Sequence, residues 1–435
     1  MIKRVGIHGN INMDILKFNI NDNKVRTFFV ILFLLTPNVI FFSKFLSDFF
    51  LTVVSIYSLI CLIKLDFFYH IKKLNFFFLI IIYFSINLII NNFDIVLILK
   101  SLSLIRFPLF ILFAFIAIDN LELLKKKLYI FYIPILIFLA NLYAQALFKY
   151  DIFGHVMEND YQRITSFFGD EYVAGSYLFF VFTIIILITS KFKIPVLSLL
   201  CLIYIGIFFS GDRTPFIIVN LFLIISFLIN IKKIVFSQKF IFIIFLVSSI
   251  SFFMILLNSN QLIKISAIEK YKGTYKNIVN DLEKKENENQ LGLKRWAYYG
   301  LYAKSLVIFK NNIFFGITYK GFRQECANKK YDDDYSNLTN GLEYVGCSTH
   351  PHNIYLEILA EQGLFGFVLL LLLIYNFFKL SNKKYNFNDI NYKIFLIVFF
   401  FPLKPFGSFY TNFGLIMLSS TIAFYIIFNK KKLLK

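Results

Sequence analysis

VAGSYLFFVFTIIILITS (Val173–Ser190), IPVLSLLCLIYIGIFFS (Ile194–Ser210) and TPFIIVNLFLIISFLI (Thr214–Ile229) are apolar runs divided only by Lys191-Phe192-Lys193 and Gly211-Asp212-Arg213. A helix needs about 20 apolar residues to cross a bilayer, and each run comes close to that length. Working outward, similar runs lie near Thr27–Lys44, Phe49–Leu65, Asn75–Asn91, Asp94–Ile118, Leu128–Phe148, Phe240–Leu257, Asn353–Phe378, Lys393–Lys404 and Gly407–Phe428, which makes about twelve in all. The pattern predicts an all-α polytopic membrane protein. Composition agrees: 16% of the chain is charged and 58% hydrophobic, where a soluble domain carries about 25% charged residues. That balance excludes a water-soluble enzyme. No cleavable signal peptide is expected, because the first apolar run follows a long polar leader and is itself followed at once by another.

The net charge of +19 would suggest nucleic acid in a soluble protein. In a membrane protein the explanation is topology, since Lys and Arg collect in cytoplasmic loops. Every second loop is basic: Lys3, Arg4, Lys17, Lys24 and Arg26; Lys72 and Lys73; Lys125, Lys126 and Lys127; Lys191 and Lys193; Lys232, Lys233 and Lys239; Lys383 and Lys384; and Lys430, Lys431 and Lys432. An even number of spans with both termini inside satisfies all of these. The expected organisation is a cytoplasmic segment 1–26, then spans 27–209 with a first outer loop 149–172. A region 210–366 with a large outer loop 258–350 follows, and then spans with a basic tail, 367–435. Cys326 and Cys347 fall in that outer loop, where disulfides persist; they are a candidate bridge, the alternative being two unpaired thiols.

Topology leaves some residues unexplained. Arg163, Arg213 and Arg295 map to outer loops or helix ends, against the charge bias. Arg213 stands in the short turn Ser210-Gly211-Asp212-Arg213-Thr214-Pro215, with Pro215 suited to a first helical turn. A guanidinium presents a rigid fork matched to phosphate oxygens, so outward arginines at the bilayer surface suit a lipid-linked phosphate or diphosphate. A solvated arginine, or one paired with Asp212, is the plain alternative. A second cluster, Ser348-Thr349-His350-Pro351-His352-Asn353-Ile354-Tyr355-Leu356-Glu357, stands where the outer loop re-enters the membrane. Imidazole transfers protons near neutrality, although a histidine capping the helix beside Asn353 explains the position equally well. No compact ligand set accompanies His350 and His352, which argues against zinc. In the first outer loop, Asp170 and Glu171 suit a proton acceptor, a sugar-hydroxyl ligand or a helix cap.

Three separated pieces together resemble the O-antigen ligase family of bacterial membrane glycosyltransferases. They are Ser210-Gly211-Asp212-Arg213; Arg295-Trp296 with the later Asn312-Ile313-Phe314-Phe315-Gly316; and His352-Asn353-Ile354-Tyr355-Leu356-Glu357 with Gly363. The resemblance runs from about Ser210 to Gly366, with Arg163-Ile164-Thr165-Ser166-Phe167-Phe168 as an upstream extension. It implies a C-type glycosyltransferase fold in the bacterial inner membrane, with a periplasmic site and no cofactor. It further implies an undecaprenyl-diphosphate-linked glycan donor, a lipid A-core or glycan acceptor, and a metal-independent inverting transfer. On that resemblance His352 is the base and Arg213 and Arg295 hold the diphosphate; Arg163, Glu171, His350 and Asn353 are the candidate substrate contacts beside them.

A polysaccharide flippase is the competing class, since transporters carry ionisable residues at membrane depth. Only Lys100 and Arg106, near Pro108, stand out in that way. Within the enzyme class, polymerase and protein O-oligosaccharide transfer stand beside ligase. The outer loop is expected to be mainly helical, with a helix over Leu293–Phe309 lying as a lid along the membrane surface. Its apolar face is Trp296, Tyr299, Ala303, Leu306 and Val307, and its polar side Lys294, Arg295 and Lys304.

Overall fold

The computed structural model describes residues 23–429 apart from 65–70, 73, 92–93, 118–120, 155–162, 170, 189–193, 231–297, 340–346, 382–386, 403 and 405–406. The ninth apolar run, both chain ends and Arg295 with Trp296 therefore lie outside the described residues.

The first half of the chain begins with α1 (Asn23–Val39), α2 (Lys44–Lys64), α3 (Asn75–Asn91), α4 (Ile95–Leu102) and α5 (Arg106–Ala117). It continues with α6 (Leu121–Lys127), α7 (Tyr129–Phe148), α8 (Ala174–Ile188), α9 (Ile194–Phe209) and α10 (Arg213–Asn230). After the 231–297 stretch come three extramembrane-type helices, α11 (Tyr299–Asn311), α12 (Phe322–Glu325) and α13 (Asp332–Thr339). The chain then returns through α14 (Ile354–Lys379), α15 (Phe387–Phe399) and α16 (Asn412–Asn429).

By length and composition, Lys44–Ile63, Ile95–Phe115, Leu121–Phe148 and Ile354–Lys379 are each able to cross a bilayer. Asn75–Asn91, Ala174–Ile188, Val196–Phe209, Arg213–Ile229 and Asn412–Phe428 are apolar but shorter. What these helices leave uncovered marks lipid as their solvent. On α2 the exposed apolar residues include Phe45, Phe49, Ile56, Ile60 and Ile63, and on α3 they include Leu79, Ile82, Ile86 and Ile90. Each set falls on one helical face, and stripes of this kind are too large and apolar for a water-facing surface. Between the helices the core is aromatic. Phe33 of α1 meets Phe110 and Phe113 of α5 and Phe424 of α16 at 5.0–5.2 Å between ring centroids, and α5 packs between α2 and α16.

Two expected spans differ in a way that chemistry explains. The run Asp94–Ile118 is two helices joined by a 3-10 turn at Ser103–Ile105. Pro108 lacks the N–H that would bond Leu104 and its ring crowds that carbonyl, so the α-pattern breaks one turn upstream. At the break Arg106 pairs with Asp48 at 2.9 Å. The eleventh run, expected over Lys393–Lys404, instead occupies Phe387–Phe399. Its first turns carry Asn388, Asp389 and Asn391, all buried. Each has an internal partner for one of its polar atoms: Asn388 Nδ2 donates to the Leu187 carbonyl (3.1 Å), Tyr425 OH donates to Asp389 (2.6 Å), and Ser226 bonds Asn391. A hydropathy reading stops at such residues, whereas a helix surrounded by partners does not.

Candidate active site

The unit built from α11, α12 and α13 is clamped to α14 by an exchange of backbone bonds. Gly363 is non-helical, with φ +64°, and divides α14. In an unbroken helix Leu364 and Phe365 would donate to Ala360 and Glu361. Here Leu364 donates to Ile313 (2.8 Å) and Phe365 to Phe314 (3.3 Å), while the freed carbonyls of Ala360 and Glu361 accept from Ile317 (3.1 Å) and Thr318 (2.8 Å). The next carbonyl, of Gln362, accepts from Tyr83 OH at 2.8 Å. Residues 313–318 thus form a strap threaded into the break. A Cβ at Gly316 would lie 2.4 Å from the Glu361 carbonyl carbon, and one at Gly363 would lie 2.3 Å from the Phe314 oxygen. This close approach is the physical content of the Asn312-to-Gly316 and Gly363 pieces of the sequence pattern.

Behind the strap, α11 packs Ala303, Val307 and Ile308 against Phe322, Tyr331, Tyr335 and Ala360. The expected faces of this helix need two corrections. Leu306 is 42% exposed, because the packed face turns toward Ile308. Lys304, expected on the polar side, is 1% exposed; its ammonium bonds Asp332 at 2.9 Å and sits over the rings of Tyr331 and Tyr335. A carboxylate and two aromatic faces make that burial tolerable.

Two carboxylates that sequence reading left without a role anchor α14. Glu361, fully buried, accepts from the backbone of Lys320 (2.7 Å) and Phe322 (3.0 Å). Glu357 accepts from Ser408 and from the Phe409 N–H (2.7 Å). Spaced four apart, they share one helical face. The available signal was their cost: two acids entering an apolar helix are retained only where partners await them.

His352 precedes this helix in a left-handed conformation, φ +59°, as Lys149, Ser166, Thr318 and Lys320 do elsewhere; such a state costs a non-glycine residue about 1–3 kcal/mol. Asn353, not histidine, caps α14. Its Oδ1 accepts from Tyr355 and Leu356 (3.0 and 3.2 Å) and its Nδ2 donates to the Pro402 carbonyl (2.6 Å). The His352 ring is half-buried, 4.2 Å from that of His350 and 5.0 Å from that of Tyr298 between centroids. Thr349 bonds His350 Nδ1 at 2.9 Å. Burial holds the His352 imidazole below its ordinary pKa, so it is neutral at physiological pH. The sulfurs of Cys326 and Cys347 are joined, with Cα atoms 5.8 Å apart, which ties the start of the histidine loop to the end of α12.

The arginines form a second group. Arg163 pairs with Asp212 at 3.0 Å and lies over the Tyr172 ring. Asp212 also accepts from the Gly175 N–H at 3.1 Å, and Ile164 donates to the Ser210 carbonyl at 3.2 Å. These contacts bring Arg163 to the turn that carries Arg213. Arg213 itself is exposed at the first position of α10, and it is Arg163 that pairs with the neighbouring Asp212. Glu171 bonds Lys44 of α2. The connection between α15 and α16 is held by Asn353 and Glu357 at Pro402, Ser408 and Phe409, and Phe168, five residues after Arg163, packs edge-on against Phe413 of α16, 5.9 Å away.

A search of curated proteins finds no match to this chain. Residues 196–371, about two fifths of its length, match the O-antigen ligase family model, and that interval holds the Arg213 turn, the strap, the histidine loop and the Gly363 break. Over these residues the chain is similar to the O-antigen ligase domain.

Proposed function

We propose that the protein moves a glycan from an undecaprenyl-diphosphate carrier to an acceptor hydroxyl on the outer face of the bacterial inner membrane, with a lipid A-core saccharide as acceptor. His352 carries this reading: a neutral imidazole held in a strained backbone state at the membrane re-entry point. It takes the hydroxyl proton as the acceptor oxygen attacks the anomeric carbon, and the bond to the diphosphate oxygen breaks on the opposite face, inverting the centre. Arg213, together with Arg295, stabilises the charge that develops on the departing diphosphate. Arg163 contributes less charge there, because Asp212 offsets it. A joined Cys326–Cys347 pair supports placing the loop in an oxidising compartment.

The pH profile tests the base. Because the folded-state pKa of His352 is lowered, the imidazole keeps its basic form down through the ordinary histidine value of about 6.5. Transfer should therefore lose rate only as the pH falls below that value, and the acid limb should vanish in His352→Asn. Initial rates in detergent with a lipid-diphosphate donor check this; a limb that persists in the variant removes the assignment. Sidedness has its own test. Cysteines placed at Asn258 and Asn340 should react with an impermeant thiol reagent applied outside, while cysteines at Asn120 and Asn382 should not. The surface glycans of a deletion strain distinguish ligation, whose loss leaves long unattached polymer, from polymerisation, whose loss leaves single capped units.

A further inference from the structure

A cavity of about 210 Å³ opens between Leu97 and Lys100 of α4 and the segment that runs from Thr318 into α12. Three cations line it: Lys100, Lys320 and Arg323. Lys100 and Arg323 are exposed, and Lys320 is partly buried against the Tyr319 ring, 5.1 Å from its centroid. Neighbouring cations have carboxylate partners: Arg106 pairs with Asp48, Lys304 with Asp332 and Lys330 with Glu325. Among the described residues none of the three lining cations has a carboxylate within ion-pair distance. Glu361 directs its oxygens to the backbone N–H groups of Lys320 and Phe322 instead. Glu325, two residues from Arg323, is taken by Lys330.

From this geometry we infer that the Lys100–Lys320–Arg323 cavity binds a phosphate-bearing group, carried either on a membrane lipid headgroup or by a free phosphate ester. Burial and the like charges of Arg323 and Lys100 push the Lys320 ammonium below its ordinary pKa, and an anion between the three relieves that repulsion. Arg323 supplies a fork for two phosphate oxygens, the lysines supply point charges, and Gln324 adds an amide donor. Lys100 stands six residues into the Ile95–Phe115 span and the other two cations stand in the α11–α13 unit. The cavity therefore bridges a membrane helix and that unit, at the depth where headgroups lie. It shares no residue with the Arg163–Arg213 turn or with the histidine loop, so it stands whether or not the transfer reading does.

The test uses the full chain in nanodiscs of neutral lipid. One arm titrates inorganic diphosphate by calorimetry; the other includes a prenyl monophosphate and counts bound lipid by native mass spectrometry. The double variant Lys320→Gln/Arg323→Gln should weaken binding by about tenfold or more, and Lys100→Gln should weaken it by less. The charge-keeping variant Lys320→Arg/Arg323→Lys should retain most of it, which separates lost charge from lost fold. A loss seen with the prenyl probe assigns the headgroup, and one confined to diphosphate assigns the free ester. Undiminished binding of both probes to the double variant, or no binding of either to the wild type, overturns the inference.

Discussion

His352→Asn should lower glycan transfer by about two to four orders of magnitude, the range over which a positioned general base acts, or about 3–5 kcal/mol of barrier. Asn is the informative replacement because it tolerates the left-handed backbone that His352 adopts at φ +59°, so the loop and the Asn353 cap survive. His352→Ala loses the base and also strains the turn. Donor binding should stay close to wild type in His352→Asn, since the base contacts the acceptor. Arg213→Ala should weaken donor binding as well as turnover, and Arg213→Lys should restore only part of either, because an ammonium does not reproduce the guanidinium fork. His350→Ala should be milder than His352→Asn. Wild-type turnover in a folded, membrane-inserted His352→Asn protein would leave leaving-group stabilisation by the arginines as the whole of the chemistry.

Gly363→Ala should be the most damaging single-methyl change outside that chemistry. Gly363 sits at φ +64° and ψ −165°, a region essentially reserved for glycine that costs roughly 1–3 kcal/mol for a residue with a Cβ. The added carbon also meets the Phe314 carbonyl oxygen at 2.3 Å, and that obstacle is backbone. Relief requires the strap to leave the break, exposing donors and acceptors on both segments at about 1–3 kcal/mol for each buried group left unsatisfied. Gly316→Ala meets Glu361 from the other side, with its Cβ 2.4 Å from the carbonyl carbon, and should behave alike. Gly169→Ala is the control: its φ is also positive, at +61°, but nothing lies within 4 Å. Thermal unfolding in detergent should show a small shift for Gly169→Ala and loss of most folded protein for Gly363→Ala. Equal shifts for the two would mean that the strap does not hold the break.

Sequence reading reached the helical class and the loops that carry chemistry because apolar runs and out-of-place charges are local signals. It reached the wrong bounds where polar groups inside a helix find partners elsewhere, as at Asn388, Asp389 and Asn391, since those partners on α8, α10 and α16 are distant in sequence. Lys304 was misassigned for the same reason: nothing local to α11 announces that Asp332 will cover it. Glu357 and Glu361 were visible as acids in an apolar helix, but their partners at Ser408, Phe409, Lys320 and Phe322 are tertiary. Arg163, singled out for its outward position, proved to be held by Asp212, which only the approach of two separate loops makes possible.

The threaded strap also imposes an order on biogenesis. Ile313, whose carbonyl accepts from Leu364, leaves the ribosome about fifty residues before its partner does, a delay of roughly 3–10 s at ordinary elongation rates. Until α14 is made and inserted, the strap has no break to enter, and the acceptors and donors from Ile313 to Thr318 face water or neighbouring chain. Cys326 likewise waits as a free thiol until Cys347 arrives. The last step in assembling the α11–α13 unit is therefore set by the placement of a helix that lies downstream of it.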